Sequence, residues 1–269
     1  MRDNAFLTQK ARELRLDVLE MVLKAGSGHI GGSFSCADIL VALFYDKMDL
    51  KGGALDPERD KFVLSKGHAN VILYAILEDL GFIEKGTKDT LRRLNSPLQG
   101  HPDSVKCPAL DCSTGSLGQG LSVAVGMALG LKKQNKNSKV YVVVGDGELD
   151  EGICWEAFMA ANAFKLDNLT IIIDRNHLQL GSKTENLIPL DDLEAKMKSF
   201  NLSVDTIDGH NFDEIFKALD HTTKDKCHCI IASTVKGKGV SFMENNVLWH
   251  GSVPNKEEAE RARKELGGI

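Results

Sequence analysis

The segment VYVVVGDG at positions 140–147 decides the fold of this chain. Its first five residues form a short apolar run rich in β-branched side chains, which is typical of a strand covered on both faces. A second run of this kind, LTIII at 169–173, follows a helical stretch at 153–164. This order predicts a βαβ unit whose right-handed crossover brings both strand ends to one edge of a sheet.

The alternation of strands and helices continues on both sides of this unit. It predicts an α/β fold with a doubly wound, mostly parallel sheet and helices on both faces. No linker or internal repeat interrupts the pattern, so we expect one domain over 1–269, with a charged helical tail at about 255–269. Apolar spacing predicts further helices at 5–25, 37–43, 70–80, 118–133 and 211–219, and further strands at 62–64, 202–207 and 229–235.

Composition excludes several classes of function. The 269 residues include 33 Lys and Arg against 38 Asp and Glu, and a net charge of −5 without a basic patch argues against nucleic-acid binding. The first thirty residues lack the apolar segment of a secretory signal. The longest uncharged run, 113–131, contains five glycines and predicts a loop and packed helix rather than a membrane span. We therefore expect a cytoplasmic protein.

The six cysteines form no CxxC pair, which favours reduced thiols in such a protein. Cys227, His228 and Cys229 are consecutive and could suggest a metal site. In a strand, however, alternation points His228 away from both thiols. We therefore interpret His228 as a structural residue.

Polar residues follow both strands of the central unit. Asp146 lies directly after the first strand, and Asn176, thirty residues later, lies just beyond the second. Ligands of open α/β sheets bind at the carboxyl ends of the strands, where we expect these two side chains to converge. Their oxygens suit Mg²⁺ or Ca²⁺ completed by phosphate oxygens, and Gly147 lets backbone amides approach a phosphate. The alternative is a tight turn with an exposed Asp and an unrelated loop Asn.

Other nucleotide and metal motifs are missing from the sequence. No GxGxxG follows a strand, GSKT at 181–184 lacks the upstream spacing of a P-loop, and no HExxH occurs. The histidines are a further signal, because five of them lie beside a glycine, and a neighbouring glycine allows the backbone and the imidazole to approach a ligand closely. These five are His29, His68, His101, His210 and His250. A set of this kind indicates a polar cleft, although any single member is more often structural.

Several separated segments, in one order, resemble the thiamine diphosphate-binding part of transketolases. The resemblance covers about residues 5–255. Its segments are GSGHIGGS (26–33), LSKGHA (64–69), QGHPD (99–103), TGSLGQGLSVAVGMA (114–128), GDGELDEG (145–152), WEA (155–157), KLDNL (165–169), Asn176, KGKG (236–239) and WHG (249–251). The chain is similar to the N-terminal subunit of split transketolases, in which a second polypeptide carries the pyrimidine-binding and C-terminal domains.

The resemblance implies a role for individual residues. Asp146 and Asn176 would bind Mg²⁺ or Ca²⁺ through their side chains, and Leu178 through its carbonyl oxygen. The cofactor, thiamine diphosphate, would contact His68, Gly115, Ser116, Leu117, Gly147, Asn176, Lys236 and His250. The catalytic histidines at the donor-sugar end would be His29, His101 and His250, while Glu151 would lie at a subunit interface that couples paired active sites.

The resemblance also implies the reaction, the transfer of a two-carbon ketol unit from a ketose (phosphate) donor to an aldose (phosphate) acceptor, as in pentose phosphate metabolism. The activating Glu and most of the sugar-phosphate pocket would lie on the partner. We therefore expect a chain that is inactive alone and assembles as an α2β2 heterotetramer, with no role for nucleic acid or membrane.

Four alternatives stay open at this point. The chain could belong to another thiamine diphosphate enzyme, such as a 2-oxoacid dehydrogenase α chain or a deoxyxylulose phosphate synthase, although LSKGHA, QGHPD and WHG favour transketolase. It could be a non-catalytic relative, or a split member acting on a sulfonated or branched ketose. Ile30 stands where the family often has a Pro, and Ser252 where some relatives have a Lys. These departures bear on what the resemblance implies about the substrate, not about the cofactor.

Overall fold

The computed structural model describes residues 3–267 and contains a five-stranded parallel sheet. The strand order is β1-β2-β3-β7-β6. The strands are β1 (Lys61–Leu64), β2 (Val140–Gly145), β3 (Leu169–Arg175), β6 (Ser203–Asp208) and β7 (His228–Ser233). A small antiparallel hairpin, β4 (Leu178–Gln179) and β5 (Ser182–Lys183), follows β3.

Helices cover both faces of the sheet. One face carries α1 (Asn4–Ala25), α2 (Ile30–Ser35), α3 (Ala37–Ala42), α4 (Asn70–Asp79), α8 (Phe212–Asp220) and α9 (Lys256–Glu265). The opposite face carries α5 (Gln119–Lys133), α6 (Gly152–Ala163) and α7 (Leu193–Ser199). The predicted doubly wound α/β class is confirmed.

Side-chain alternation along β2 explains why both faces are covered. Tyr141 and Val143 pack into the core under the first set of helices, whereas Val140, Val142 and Val144 pack under the second. All five are buried, so every position of the strand needs an apolar side chain. The continuous apolar run at 140–144 is thus the sequence signature of a strand buried on both faces.

The connections create a crevice at the carboxyl edge of the sheet. After β3 the chain leaves towards α7 on one face, whereas after its neighbour β7 it leaves towards α9 on the other. Adjacent strands whose connections diverge in this way leave an opening beyond their ends, where α/β proteins bind ligands.

Most predicted elements lie within a few residues of their predicted bounds, but some were missed. The helix α2, the β4–β5 hairpin and α7 were not predicted. The glycines of α2 disfavour a helix, and tertiary packing overrides that preference. The strand predicted at 229–235 ends at Ser233, because the next residues turn into the crevice. The predicted tail helix ends at Glu265, and positions 268–269 lie outside the described residues.

Candidate active site

A cavity of about 210 Å³ opens at the carboxyl edge of the sheet. The loops after β1, β2, β3 and β7 form its walls, as expected for the crevice described above. Its lining residues are Gly32, Lys66, His68, Leu117, Gly145, Asp146, Gly147, Glu148, Asn176, Leu178, Gln179, Leu180, Lys236 and His250. The cavity therefore includes all three predicted metal-binding residues, together with most of the predicted cofactor-binding residues.

Asp146 is a carboxylate buried at the end of β2. One oxygen accepts a hydrogen bond from the Gly147 amide at 2.8 Å, and the other accepts from the His177 amide at 2.6 Å and from Arg175 at 3.2 Å. Burial and the nearby Asp174 raise the pKa of Asp146 to about 6, although Arg175 and the two amides act in the opposite direction. The positive groups around the carboxylate are therefore too few to offset the cost of burying its negative charge.

Asn176 and Leu178 present two further oxygens beside it. The Asn176 side-chain oxygen accepts from the Leu178 amide at 3.1 Å, and its amide nitrogen is 3.3 Å from Asp174. The Leu178 carbonyl oxygen accepts from the Lys236 ammonium at 3.3 Å. The hairpin that starts at Leu178 thus turns a backbone carbonyl towards the cavity, which explains why a residue with an apolar side chain can contribute a polar atom.

Gly147 is required by the close approach of this hairpin to the loop after β2. A Cβ atom at position 147 would lie 2.7 Å from the Cβ of Gln179. Any side chain there would push the two segments apart. Both segments carry candidate metal ligands, so this separation would open the site.

Glu148 holds the loop after β2 in place and was not predicted as a site residue. One of its carboxylate oxygens accepts from the Ser65 hydroxyl at 2.5 Å and from the Gly118 amide at 2.7 Å. The other accepts from the Gly145 amide at 2.9 Å. Glu148 therefore links the ends of β1 and β2 to the start of α5. Its presence inside the GDGELDEG segment was the only available sequence signal.

A buried ion pair between Lys66 and Asp174 lies beneath the cavity, and it too was missed. Asp174 also accepts from Ser35 at 2.6 Å and from Thr234, while Lys66 donates to the Gly32 carbonyl at 2.8 Å. The pKa of Asp174 is lowered because Lys66 outweighs the effect of burial. Lys66 occurs in LSKGHA, but nothing in the sequence indicated its partner.

Four histidines converge at the cavity and its mouth. The ring of His29 lies 5.3 Å from that of His68, 5.4 Å from that of His250 and 6.2 Å from that of His101, measured between centroids. His68 and His250 line the cavity, whereas His101 is exposed at the outer end of the row. The structure thus brings together the three histidines predicted to be catalytic. His210 lies apart and pairs with Asp38 at 2.6 Å.

Burial lowers the pKa of all four histidines below 6.5, so their rings are neutral near pH 7. Burial, with added repulsion from Arg92, lowers the pKa of His29 to about 4. Burial and the Lys236 charge lower that of His250 to about 3. Burial also lowers the pKa of Lys236, to about 8, and nearby Lys66 adds to this effect. Lys236 hydrogen-bonds to a carbonyl and an imidazole rather than to a carboxylate, so its charge is available to an anion.

The remaining predicted residues lie around the mouth. Leu117 lines the cavity, and Ser116 beside it is exposed. Gly115 approaches His101, and a Cβ atom added at position 115 would lie 3.4 Å from the Cβ of that histidine. Glu151 is exposed at the start of α6. Ser116 and Glu151 are thus free for contacts beyond this chain.

The cavity fits a diphosphate with a divalent cation. Its oxygen atoms, from a carboxylate, a carboxamide and a carbonyl, are the hard ligands that Mg²⁺ and Ca²⁺ prefer. Its lysines and imidazoles supply the positive charge and hydrogen-bond donors that phosphate oxygens require. A cation beside Asp146 would also provide the charge that this buried carboxylate lacks.

Comparison with known proteins agrees with this geometry. The family profile described as "Transketolase, thiamine diphosphate binding domain" matches residues 7–268. The chain belongs to the transketolase family. The resemblance inferred from the sequence is therefore confirmed.

The transketolase relatives include proteins of this length. The chain is 42% identical to an apulose-4-phosphate transketolase subunit of Phocaeicola vulgatus, over 97% of this chain and 93% of that protein. It is 40% identical to the 6-deoxy-6-sulfo-D-fructose transketolase subunit SqwG of a Clostridium species, over 97% and 96%. Both of these relatives are named as subunits.

Undivided transketolases are longer. Human transketolase is 39% identical over 97% of this chain but only 42% of its own length. The crystal structure of transketolase from Campylobacter jejuni superposes with a TM-score of 0.92 at 33% identity, covering all of this chain and 43% of that one. The chain thus spans about two fifths of an undivided transketolase.

Proposed function

We propose that this chain is the thiamine diphosphate- and Mg²⁺-binding subunit of a split transketolase that transfers a two-carbon ketol unit between sugars. The observation that carries the proposal is that one cavity holds three hard oxygen ligands beside the buried Lys236 ammonium, whose hydrogen-bond partners are a carbonyl and an imidazole. The matching lengths of the subunit relatives support the division into two chains.

Each predicted metal ligand has a defined part in this proposal. Asp146 and Asn176 would bind Mg²⁺ through side-chain oxygens, and Leu178 through its carbonyl. The cation would displace the Lys236 ammonium from the Leu178 carbonyl, which frees Lys236 to bind phosphate oxygens. His68 and the backbone at Gly147 border the same space and would complete the diphosphate site.

The bound cofactor supplies the nucleophilic carbon that the protein side chains lack. The neutral imidazoles then position the substrate. Lys236 donates to Nδ1 of His250 at 2.8 Å, so the proton of that ring is on Nε2 and is available to a donor-sugar oxygen. Arg92 approaches Nδ1 of His29 at 3.3 Å and selects the same tautomer there. With His101 at the mouth, these N–H groups would orient hydroxyls and relay protons.

The donor is a ketose that carries an anionic group, either a phosphate or a sulfonate. The two subunit relatives are named for apulose 4-phosphate and 6-deoxy-6-sulfo-D-fructose, one a sugar phosphate and the other a sulfonated sugar. In our proposal the pocket for this group lies on the partner subunit, together with the activating Glu, and two copies of each chain form an α2β2 heterotetramer.

The test combines the purified chain with its C-terminal transketolase subunit, thiamine diphosphate and Mg²⁺. Release of aldose is measured with an unbranched ketose phosphate, a branched ketose phosphate, a sulfonated ketose and a 2-oxo acid. We expect turnover of at least one ketose by the pair and none by this chain alone.

Two results would contradict the proposal. Turnover of the 2-oxo acid without any ketose would place the chain in another class of thiamine diphosphate enzyme. Failure of the pair to take up thiamine diphosphate in calorimetry would instead support a non-catalytic relative.

A further inference from the structure

A cluster of two histidines and one carboxylate lies away from the cofactor cavity. Asp205 is in the edge strand β6, His228 is the first residue of β7, and His221 follows the end of α8. One oxygen of Asp205 is 2.6 Å from Nδ1 of His221 and 2.9 Å from Nε2 of His228. The cluster is at the edge strand and the start of β7, whereas Lys236 and the cavity lie beyond the opposite end of β7.

The three ligand atoms lie close enough together to share one ion. All are within 4.8 Å of one another. Ligand atoms around a tetrahedral zinc ion are about 3.3 Å apart, as follows from Zn–N and Zn–O distances of about 2.0–2.1 Å. The Asp205 oxygen would have to move about 0.7 Å away from His221 and about 0.4 Å away from His228 to reach this spacing, which makes room for the ion.

The cluster is accessible from solvent. The side chain of His228 is only 6% exposed, whereas those of Asp205 and His221 are 31% and 45% exposed. A groove of about 390 Å³ borders the last two residues, and Glu214 and Lys217 of α8 contribute opposite charges to its wall. An ion could enter through this groove, and water could occupy the fourth ligand position.

Metal binding would change the protonation of both rings: each nitrogen that now donates to Asp205 would lose its proton and bind the ion. Burial opposes ionisation of Asp205, but the two histidine hydrogen bonds outweigh it and lower the pKa of this carboxyl. Burial lowers the pKa of His228 by more than Asp205 raises it. The nearby Lys47 donates to Asp220 at 2.6 Å, which balances its charge.

The neighbouring cysteines do not belong to this group. Cys227 and Cys229 are buried in the core on the opposite face of the sheet. Strand alternation separates their thiols from His228, as the sequence predicted. The donor set is therefore two imidazole nitrogens and one carboxylate oxygen, a set that zinc accepts when water or another ligand completes its coordination.

We infer that Asp205, His221 and His228 form a binding site for a divalent cation of the zinc type, separate from the cofactor site. The bound ion would fasten the connection between α8 and β7 to the edge strand β6. His228 would then play its predicted structural role by binding the metal ion. The inference stands independently of the proposed transketolase activity.

The experiment measures Zn²⁺ binding to the full chain by equilibrium dialysis, with excess Mg²⁺ present to compete at the cofactor site. We expect one Zn²⁺ per chain for the wild type, and affinity at least about tenfold lower for Asp205→Asn and for His221→Gln. Zn²⁺ at about 100 times its dissociation constant for the wild type should raise the wild-type Tm by about 5 °C and the Tm of the two variants by at most about half as much.

Two control variants accompany these measurements. Asp225→Asn removes a carboxylate from the same connection, at an exposed position whose φ of 60° asparagine adopts readily. Asp146→Asn removes the candidate ligand in the cofactor cavity. Both should retain wild-type Zn²⁺ affinity, and far-UV circular dichroism should show that all four variants are folded.

Three outcomes would overturn the inference. They are the absence of Zn²⁺ binding at micromolar concentrations, equal affinity in all variants, and loss of binding in Asp146→Asn alone. Substitution of Co²⁺ gives a further check, because thiolate-to-metal charge-transfer bands would place the ion on cysteines instead.

Discussion

At the scale of single residues, Asp146 lowers the stability of the folded chain instead of raising it. Its pKa of about 6 in the folded chain lies above the ordinary value of 3.8, mainly because the carboxyl is buried. A carboxyl whose folded pKa is raised favours the folded state only while it is protonated. Above pH 6 its ionised form therefore lowers the free energy of unfolding, by roughly 3 kcal/mol. A bound divalent cation would remove this cost.

Asp146→Asn should therefore separate stability from binding. In metal-free buffer at pH 7.5 we expect the free energy of unfolding to equal or exceed that of the wild type, because the buried charge is gone while Arg175 keeps Thr184 and Glu185 as partners. Affinity for thiamine diphosphate with Mg²⁺ should fall at least about 100-fold, since a direct ligand is lost. Urea unfolding and calorimetry with the assembled pair measure the two effects.

A carboxylate outside the cavity provides the control for this variant. Asp150 accepts a hydrogen bond from Gln179 at 3.1 Å but does not line the cavity. Asp150→Asn should retain Mg²⁺-dependent binding. Unchanged cofactor affinity in Asp146→Asn would refute its assignment as a ligand.

At the scale of elements, a buried network of hydrogen bonds joins α1 and α3 to the segment after β7. Arg15 of α1 forms two hydrogen bonds with Asp38 of α3, at 2.6 and 3.1 Å. Asp38 also accepts from His210 in the turn after β6, and Nε2 of His210 accepts from the Val235 amide. This network joins α1 and α3 to the segment that leads into Lys236, so it positions one wall of the cavity.

This network predicts a dependence of stability on pH. Burial opposes ionisation of Asp38, but Arg15 and His210 outweigh it and lower the pKa of this carboxyl from 3.8 to about 2. Its contribution to stability should therefore be complete above about pH 4 and disappear as the pH falls through 2. We expect Asp38→Asn to lower the free energy of unfolding by about 2.5 kcal/mol at pH 6, with a smaller loss near pH 2.

Urea titrations between pH 2 and pH 6 measure this difference. Asp225→Asn, at its exposed position, should follow the wild-type curve across the range. A constant difference between Asp38→Asn and the wild type would show that lost packing, rather than the ionised carboxyl, causes the destabilisation.

At the scale of the whole molecule, large apolar side chains remain exposed near the cavity. Leu180 lines it and is 75% exposed, and Leu187 and Ile188 in the segment after the hairpin are also exposed. Val123 of α5 and Met159 of α6 are exposed as well. Apolar surface that borders a binding site is typical of a surface that another chain covers.

Between residues 3 and 267, no helix is long and apolar enough to cross a membrane.

Assembly with the partner subunit should therefore protect specific segments from hydrogen exchange. We expect slower exchange at 178–188 and along the exposed sides of α5 and α6, because these regions become buried. The edge strand β6 and α8 should exchange as in the isolated chain. Protection confined to that edge would contradict the proposed interface.

The sequence by itself determined the fold class, the family and the candidate ligands. Apolar periodicity reports burial, so the runs at 140–144 and 169–173 predicted two buried parallel strands and the edge where their ends meet. Asp146 and Asn176 could be identified because each directly follows a strand. Sequence alone missed α2, where the packing of a glycine-containing segment overrides its weak helix propensity.

Only the tertiary structure decided which side chains meet. Glu148 binds Ser65, Lys66 pairs with Asp174, and His228 contacts Asp205 and lies close to His221. The first two of these pairs join residues far apart in the chain, and even within the third cluster β6, α8 and β7 must pack before the side chains converge. Periodicity records which face of an element is buried, whereas the choice of partner, and the pKa that results from it, depends on distances that only the folded chain sets.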